Sequence, residues 1–252
     1  MVVANGLAGK VCVVNGAASL IGRAVADRFA AEGALVVGVD KVDHAVGDHP
    51  VQADLSDEPA VEAVYRELVR AHGRLDVIYN NMGLMARTDH SLLDMTLQTW
   101  REALDANLTS VFLSCKHGIR YLLNTEPAGG SVINAASFLA AMGSATAPMA
   151  YSAAKAGVVQ LTRDLGVNLA RSGVRVNAVL FGPIETPEQR AILERDPSVL
   201  AKRLVHWPTG RFGTLAEAAG TVAFLAGDDS GFITGAAIPL DGGITEAFTV
   251  PE

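Results

Sequence analysis

The chain has 252 residues, half of them hydrophobic, with 25 glycines, 19% charged residues and a formal net charge of -7. That balance fits a chain with a substantial buried core and excludes a disordered or fibrous one, and the lack of any basic run argues against a nucleic-acid partner. No apolar stretch reaches membrane-spanning length, and Met1-Val-Val-Ala-Asn-Gly lacks the blocks of a signal peptide, so the expected location is the cytoplasm.

Val11-Cys-Val-Val14 is a β-branched run that stops at Asn15-Gly-Ala-Ala-Ser-Leu-Ile-Gly22, after which Ile21, Ala24, Val25, Ala26, Phe29 and Ala30 recur at helical spacing. Leu35-Val-Val-Gly-Val-Asp40 completes a βαβ unit. A right-handed crossover leaves the helix N-terminus at the strand's carboxyl end, where N–H groups and the helix dipole favour a phosphate. Gly16 would permit the tight turn and Gly22 close helix packing, which points to a dinucleotide. Asp40 then selects NAD over NADP, because a carboxylate accepts hydrogen bonds from a ribose diol and repels a 2′-phosphate. Lys41 is the neighbouring cation that would soften this repulsion.

The α/β alternation continues to the end of the chain. Strands are expected over Pro50 to Leu55, Leu75 to Asn81, Gly130 to Ser137, Arg175 to Leu180 and Ala236 to Leu240, and helices over Asp57 to His72, Thr99 to Asn124, Tyr151 to Arg171 and Leu215 to Ala226. Seven strands separated mostly by helices, with no linker or repeat, predict one doubly wound domain with a parallel sheet and helices on both faces. Residues 183–210 carry four prolines at the sheet's carboxyl edge and are expected to form a substrate lid. Cys12 and Cys115 fall in apolar surroundings as buried thiols, and the six histidines show no ligand spacing, so no metal is expected.

Tyr151 and Lys155 stand four apart in a predicted helix and therefore share a face. A cation held near a phenol stabilises its anion and lowers its pKa, which would make Tyr151 a general acid or base near neutrality.

Taken together, the glycine turn at Asn15 to Gly22, Asp54-Leu55, Asn80-Asn-Met-Gly83, Asn107, Ser137, the Tyr151/Lys155 pair, Asn177 to Thr186 and Asp241-Gly-Gly243 resemble, in order, the motifs of the compact branch of the short-chain dehydrogenase/reductase family. The resemblance runs from about Gly6 to Gly243. It implies that Tyr151 exchanges a proton with the substrate oxygen, that Lys155 lowers the tyrosine's pKa and holds the nicotinamide ribose, and that Ser137 bonds the same substrate oxygen. Asn107 would interrupt its helix and hold a water connecting Lys155 to solvent. For the cofactor it implies Gly16, Ser19, Leu20, Ile21 and Gly22 at the turn and Asp40 and Lys41 at the adenosine ribose. It places Asp54 and Leu55 at the adenine, Asn81 and Gly83 along the adenosine side, and Gly182, Ile184 and Thr186 at the nicotinamide.

Four positions depart from the family pattern: Asn15 for threonine, Leu20 for a glycine, Met82 for alanine and Phe181 for proline. The expected substrate wall is Met85, Phe138, Met142, Met149, Phe181 and Ile184, with His206 and Trp207 from the lid. It is apolar, rich in adaptable methionine and without a clamping arginine, which suits a hydrophobic secondary alcohol or ketone. The family resemblance also implies a homotetramer, or a homodimer, through the helices near Thr99 to Asn124 and Tyr151 to Arg171. Alternatives are an NADP-dependent 3-oxoacyl reductase acting on a carrier-bound substrate, a non-catalytic dinucleotide-binding regulator, and an epimerase or dehydratase, for which the chain lacks a separate sugar-nucleotide domain.

Overall fold

The apolar runs form seven strands: β1 (Val11–Asn15), β2 (Leu35–Asp40), β3 (His49–Gln52), β4 (Val77–Asn80), β5 (Gly130–Ser137), β6 (Val174–Phe181) and β7 (Ala237–Leu240). All pair in parallel, in the order β3-β2-β1-β4-β5-β6-β7. The helices are α1 (Leu20–Ala31), α2 (Glu58–His72), α3 (Leu97–Leu104), α4 (Ser110–Asn124), α5 (Met149–Leu169) and α6 (Leu215–Ala226). The structure, a computed structural model, describes residues 6–86, 88–89, 91–126, 128–143, 148–187, 190–191, 195, 198 and 204–247.

Strand periodicity divides the core into two layers. Cys12 and Val14 of β1 face Val25 and Phe29 of α1 and Val222 and Leu225 of α6. Val13, between them, faces the opposite layer with Tyr65 and Leu68 of α2, Val111 and Leu122 of α4 and Val158 of α5. Both faces are covered, which is why the strands read as unbroken apolar runs. Successive connections run one way from β1 to β3 and the other way from β4 to β7, so the chain changes direction between β1 and β4. A crevice opens at the carboxyl ends of such a pair.

One polar layer crosses this core. Asn15, Asn80 and Asn134 lie at matching registers on β1, β4 and β5. Asn15 donates to Asn80 at 2.9 Å, Asn80 to Asn134 at 2.8 Å and Asn134 to Thr162 of α5 at 2.9 Å. The bonds hold α5 at one height over the sheet.

Several element boundaries differ from expectation, three of them next to the site. β3 ends at Gln52, not Leu55, because the Asp54 carboxylate captures the Ser56 N–H at 3.0 Å and turns the chain. The helix expected over Thr99 to Asn124 begins at Leu97 and is interrupted by a π-turn at Asp105–Thr109. Inside that turn Asn107 donates to Ala103 O at 2.8 Å and Leu84 O at 2.9 Å. An inserted residue of this kind re-aims the helix without breaking its apolar face. α5 begins at Met149 and ends at Leu169, after which a 3₁₀ turn leads to Gly173 at φ +76°.

Of the expected lid, residues 188–189, 192–194, 196–197 and 199–203 fall outside the described residues. Among those described, no helix is long and apolar enough to cross a membrane, and no cluster of three or more His, Cys, Asp or Glu is arranged to hold a metal ion.

Candidate active site

The turn after β1 is shaped by two glycines. Gly16 has φ +78°, and a Cβ there would sit 3.0 Å from the carbonyl carbon and oxygen of Asn81. A Cβ on Gly22 would lie 2.2 Å from Gly16 O, so the first turn of α1 packs directly on the loop. Ser19 caps that helix by accepting from Gly22 N at 3.1 Å, and Asn81 donates to Ser19 Oγ at 2.7 Å and to Gly16 O at 3.2 Å. The end of β4 is thereby stitched to the glycine turn. Gly22→Ala is expected to destabilise the chain by about 1–3 kcal/mol, since only backbone could move to make room. An unchanged urea midpoint in that variant would overturn the packing argument.

A cleft of about 500 Å³ lies over this turn and gathers Gly16, Ser19, Asp40, Lys41, Asp54, Leu55, Asn81 and Gly83, eight residues named from the sequence. Asp40 accepts from Ala18 N at 3.0 Å, so its carboxylate is fixed against the turn. Lys41 pairs across the cleft with Asp54 at 2.7 Å. The ammonium, together with Ser56, holds the Asp54 carboxyl down at about 2. Both partners are exposed, and their pairing adds little to stability. Leu20, in the first turn of α1, is 38% exposed and is not among the residues that line the cleft. Ile21 is half-buried behind it.

At the other end of the crevice, Lys155 is 2% exposed and donates to Met82 O at 2.7 Å and Ala135 O at 2.8 Å. Its Nζ lies 5.6 Å from the centre of the Tyr151 ring. A Cβ on Gly83 would lie 3.8 Å from Lys155 Nζ and 3.9 Å from Asn107 Oδ1, so this glycine separates the two groups. Burial pushes the Lys155 pKa down to about 7; the two carbonyl acceptors oppose that shift by favouring the charged form. Burial also raises the Tyr151 phenol above its usual value, while the adjacent Ser137 hydroxyl pulls it back. Lys155, expected to make this phenol more acidic, turns its ammonium to two carbonyls, and burial leaves the phenol above its usual value.

Asn107 is fully buried and uses its side chain on Leu84, accepting from Leu84 N at 3.0 Å and donating to Leu84 O at 2.9 Å. Ser137 closes β5 and accepts from Leu139 N at 3.2 Å. Gly182 packs against Asp241, where a Cβ would lie 2.5 Å from the Asp241 Cα. Ile184 bridges Gly213 through the atoms of its neighbours, Pro183 O and Glu185 N. Its own N–H and C=O consequently point away from that ladder. Thr186 is half-buried two residues on.

The expected substrate wall divides. Met85 at 62% exposure and Met149 at 40% stand open, and Phe138 is half-buried beside Ser137. Phe181 is a correction: strand alternation sends its ring to the same layer as Val179, into the core with Ala218, Ala219 and Val222. The Ile184 side chain enters that core too. Trp207 is buried edge-on against Phe212, with ring centroids 4.6 Å apart, while His206 is exposed.

A family model described as Enoyl-(Acyl carrier protein) reductase matches residues 16–245, nearly the whole chain. The chain belongs to the short-chain dehydrogenase/reductase family. Among its relatives is cis-4-hydroxycyclohexanecarboxylate dehydrogenase of Sinomonas cyclohexanicum, 38% identical over 247 residues that span 94% of this chain and 96% of the relative. Meso-2,3-butanediol dehydrogenase of Serratia marcescens is 34% identical over 253 residues, spanning 96% and 97%. A 3-oxoacyl-(acyl-carrier-protein) reductase of Thermotoga maritima is 34% identical over 250 residues, spanning 94% and 98%. The ligand-free aldohexose dehydrogenase of Thermoplasma acidophilum superposes with a TM-score of 0.88 at 29% identity, covering 98% of each chain. As a short-chain dehydrogenase/reductase the protein is an oxidoreductase acting on CH–OH groups with a nicotinamide dinucleotide.

Within this short-chain dehydrogenase/reductase, one residue beside the site escaped the sequence reading. Asp89 is buried and bonds the backbone of Ala150 and Tyr151. Its partners lie 61 and 62 residues away, and no local periodicity signals such a contact.

Proposed function

We propose that the protein is an NAD-dependent dehydrogenase/reductase of hydrophobic secondary alcohols and ketones, with Tyr151 as general acid and base. The observation that carries this is the convergence of Tyr151, Ser137 and a buried, doubly anchored Lys155 beside Met82 and Gly83, two residues of the cleft over the glycine turn. The glycine turn, with its close backbone approach at the N-terminus of α1, fits a pyrophosphate, and Asp40 fits a ribose diol. The dinucleotide supplies the hydride acceptor for oxidation and the donor for reduction.

This chain's own residues then have three tasks. Tyr151 gives a proton to the carbonyl oxygen in reduction and removes it from the alcohol in oxidation. Ser137 donates a second hydrogen bond to that oxygen, stabilising charge as it builds. Lys155, 5.6 Å from the centre of the Tyr151 ring, binds the nicotinamide ribose, with Asn107 fixing the adjoining Gly83–Leu84 backbone. Gly182, Ile184 and Thr186 hold the nicotinamide end, Ile184 through its backbone.

The choice of NAD rests on Asp40. Lys41 is engaged by Asp54, which leaves the Asp40 carboxylate uncompensated against a 2′-phosphate. Asp40→Asn keeps an acceptor for Ala18 N–H and removes the charge. It is expected to raise relative efficiency with NADP by about tenfold or more, a change of roughly 1.4 kcal/mol or above. Equal efficiency with NAD and NADP in the unmodified protein would defeat the assignment.

Open methionines and the absence of a charged clamp among the described wall residues favour an apolar substrate, and the hydroxycyclohexane and butanediol dehydrogenases among the relatives suggest cyclic and short secondary alcohols to test first. Cyclohexanol, cis-4-hydroxycyclohexanecarboxylate, 2,3-butanediol and an acetoacetyl thioester, followed by NADH absorbance, separate these classes. Preferential reduction of the thioester with NADPH would replace the proposal by the 3-oxoacyl reductase. The open apolar groove of Phe112, Ile119 and Leu123 on α4 and Leu161, Leu165 and Leu169 on α5 supports a homotetramer, and two buried free thiols suit the cytoplasm.

A further inference from the structure

The helix that carries Tyr151 and Lys155 starts without a cap of its own. Pro148 stands at its N-cap and offers no side-chain hydrogen bond. Ala150 is fully buried, so its N–H has no route to water. The missing acceptors arrive from the loop after β4: Asp89 Oδ1 accepts from Ala150 N at 3.0 Å, and Asp89 Oδ2 from Tyr151 N at 2.9 Å. Asp89 is itself 2% exposed. A carboxylate bound by two N–H groups of a first helical turn is held by charge-assisted bonds and by the helix dipole.

The same loop is tied at its other end. Asn107 bonds both the N–H and the C=O of Leu84, and Asp89 N donates to Ala86 O at 3.0 Å. Leu84 and Asp89 are therefore two fixed points of this loop, and Met85 between them is exposed. Asp89 thus ties this loop to the first turn of α5, whose Tyr151 phenol is bonded by the Ser137 hydroxyl.

We propose that Asp89 is a positioning residue for the reaction: by bonding the backbone of Ala150 and Tyr151 it sets where the phenol stands relative to Ser137. This rests on Tyr151 being the proton-transfer group. Asp89 touches no reacting atom. Its influence falls on turnover, because a displacement of about 1 Å in a reacting group costs up to about 100-fold. The adenosine end of the cleft, at Gly16, Ser19, Asp40 and Asp54, is formed by other elements.

The test compares the parent protein with Asp89→Ala, Asp89→Asn and Tyr151→Phe, using the best-oxidised alcohol of the panel above. Asp89→Asn keeps one carbonyl acceptor, while its amide would face a second N–H. The expected result is a kcat lower by about 10- to 100-fold in Asp89→Ala, partly restored in Asp89→Asn, with the NADH dissociation constant within about twofold of the parent in both. Urea midpoints report the folded fraction separately. A folded Asp89→Ala with kcat within twofold of the parent overturns the proposal, as does a kcat that falls only in proportion to the folded fraction. Should Asp89→Ala not fold, an unchanged kcat in Asp89→Asn overturns it equally. Turnover that survives in Tyr151→Phe instead removes the assignment of the proton donor, so the two failures are distinct.

Discussion

Tyr151→Phe is expected to lower turnover by about 10²–10⁴-fold while leaving the NADH dissociation constant within about twofold. The substitution removes one oxygen from a ring that stays packed on the same helix, so neither the adenosine cleft nor the Lys155 anchors should change. The direction of the pH effect follows from burial. A phenol raised above its ordinary value stays protonated further into alkali, so ketone reduction should hold its rate past about pH 10 as far as this group is concerned. Alcohol oxidation needs the deprotonated form and should climb with pH over the same range. Phenylalanine abolishes that climb along with the rate. Steady-state rates in both directions, with NADH fluorescence for binding, check both parts. Unchanged turnover in the variant would sink the assignment.

The difference between what the sequence showed and what it concealed follows the range of each interaction. β1 and β2 were legible because a parallel strand buried on both faces is an unbroken β-branched run, and α1 because its apolar positions recur locally. The cleft was legible for a similar reason: Gly16, Gly22 and Asp40 mark conformations and charges demanded by their own βαβ unit. The π-turn at Asp105–Thr109 was not visible in the periodicity, since one extra residue barely disturbs an apolar stripe. Phe181 was misplaced because a motif position says nothing about which sheet face a strand's last residue takes. The acidity of Tyr151 was misjudged because helical spacing fixes the separation of two side chains but not their desolvation. Asp89 depended on a contact across the fold.

Lys155→Met should lower turnover by a factor comparable to the loss in Tyr151→Phe and, unlike it, weaken cofactor binding, since the ammonium is proposed to hold the nicotinamide ribose. It also has a stability signature that needs no substrate. In the folded chain the Lys155 pKa is depressed to about 7 from 10.5. Below about pH 7 both states carry the proton and the folded state bears the full cost of a buried charge. Between about 7 and 10.5 the folded chain sheds its proton before the unfolded one does, the unfolded state binds more protons, and this group's contribution to stability rises with pH. Methionine has no proton to lose, so the parent should gain stability relative to Lys155→Met across that window, by an amount on the order of a few kcal/mol at most. Removing the ammonium relieves the cost of that buried charge but leaves Met82 O and Ala135 O without their donor, at a cost of about 1–3 kcal/mol each. The absolute difference thus mixes two effects of opposite sign, and its pH slope isolates the titration. Urea midpoints of parent and variant at pH 6, 8 and 10 measure that slope; a constant difference would mean that Lys155 keeps its charge throughout, with its two carbonyl bonds outweighing burial.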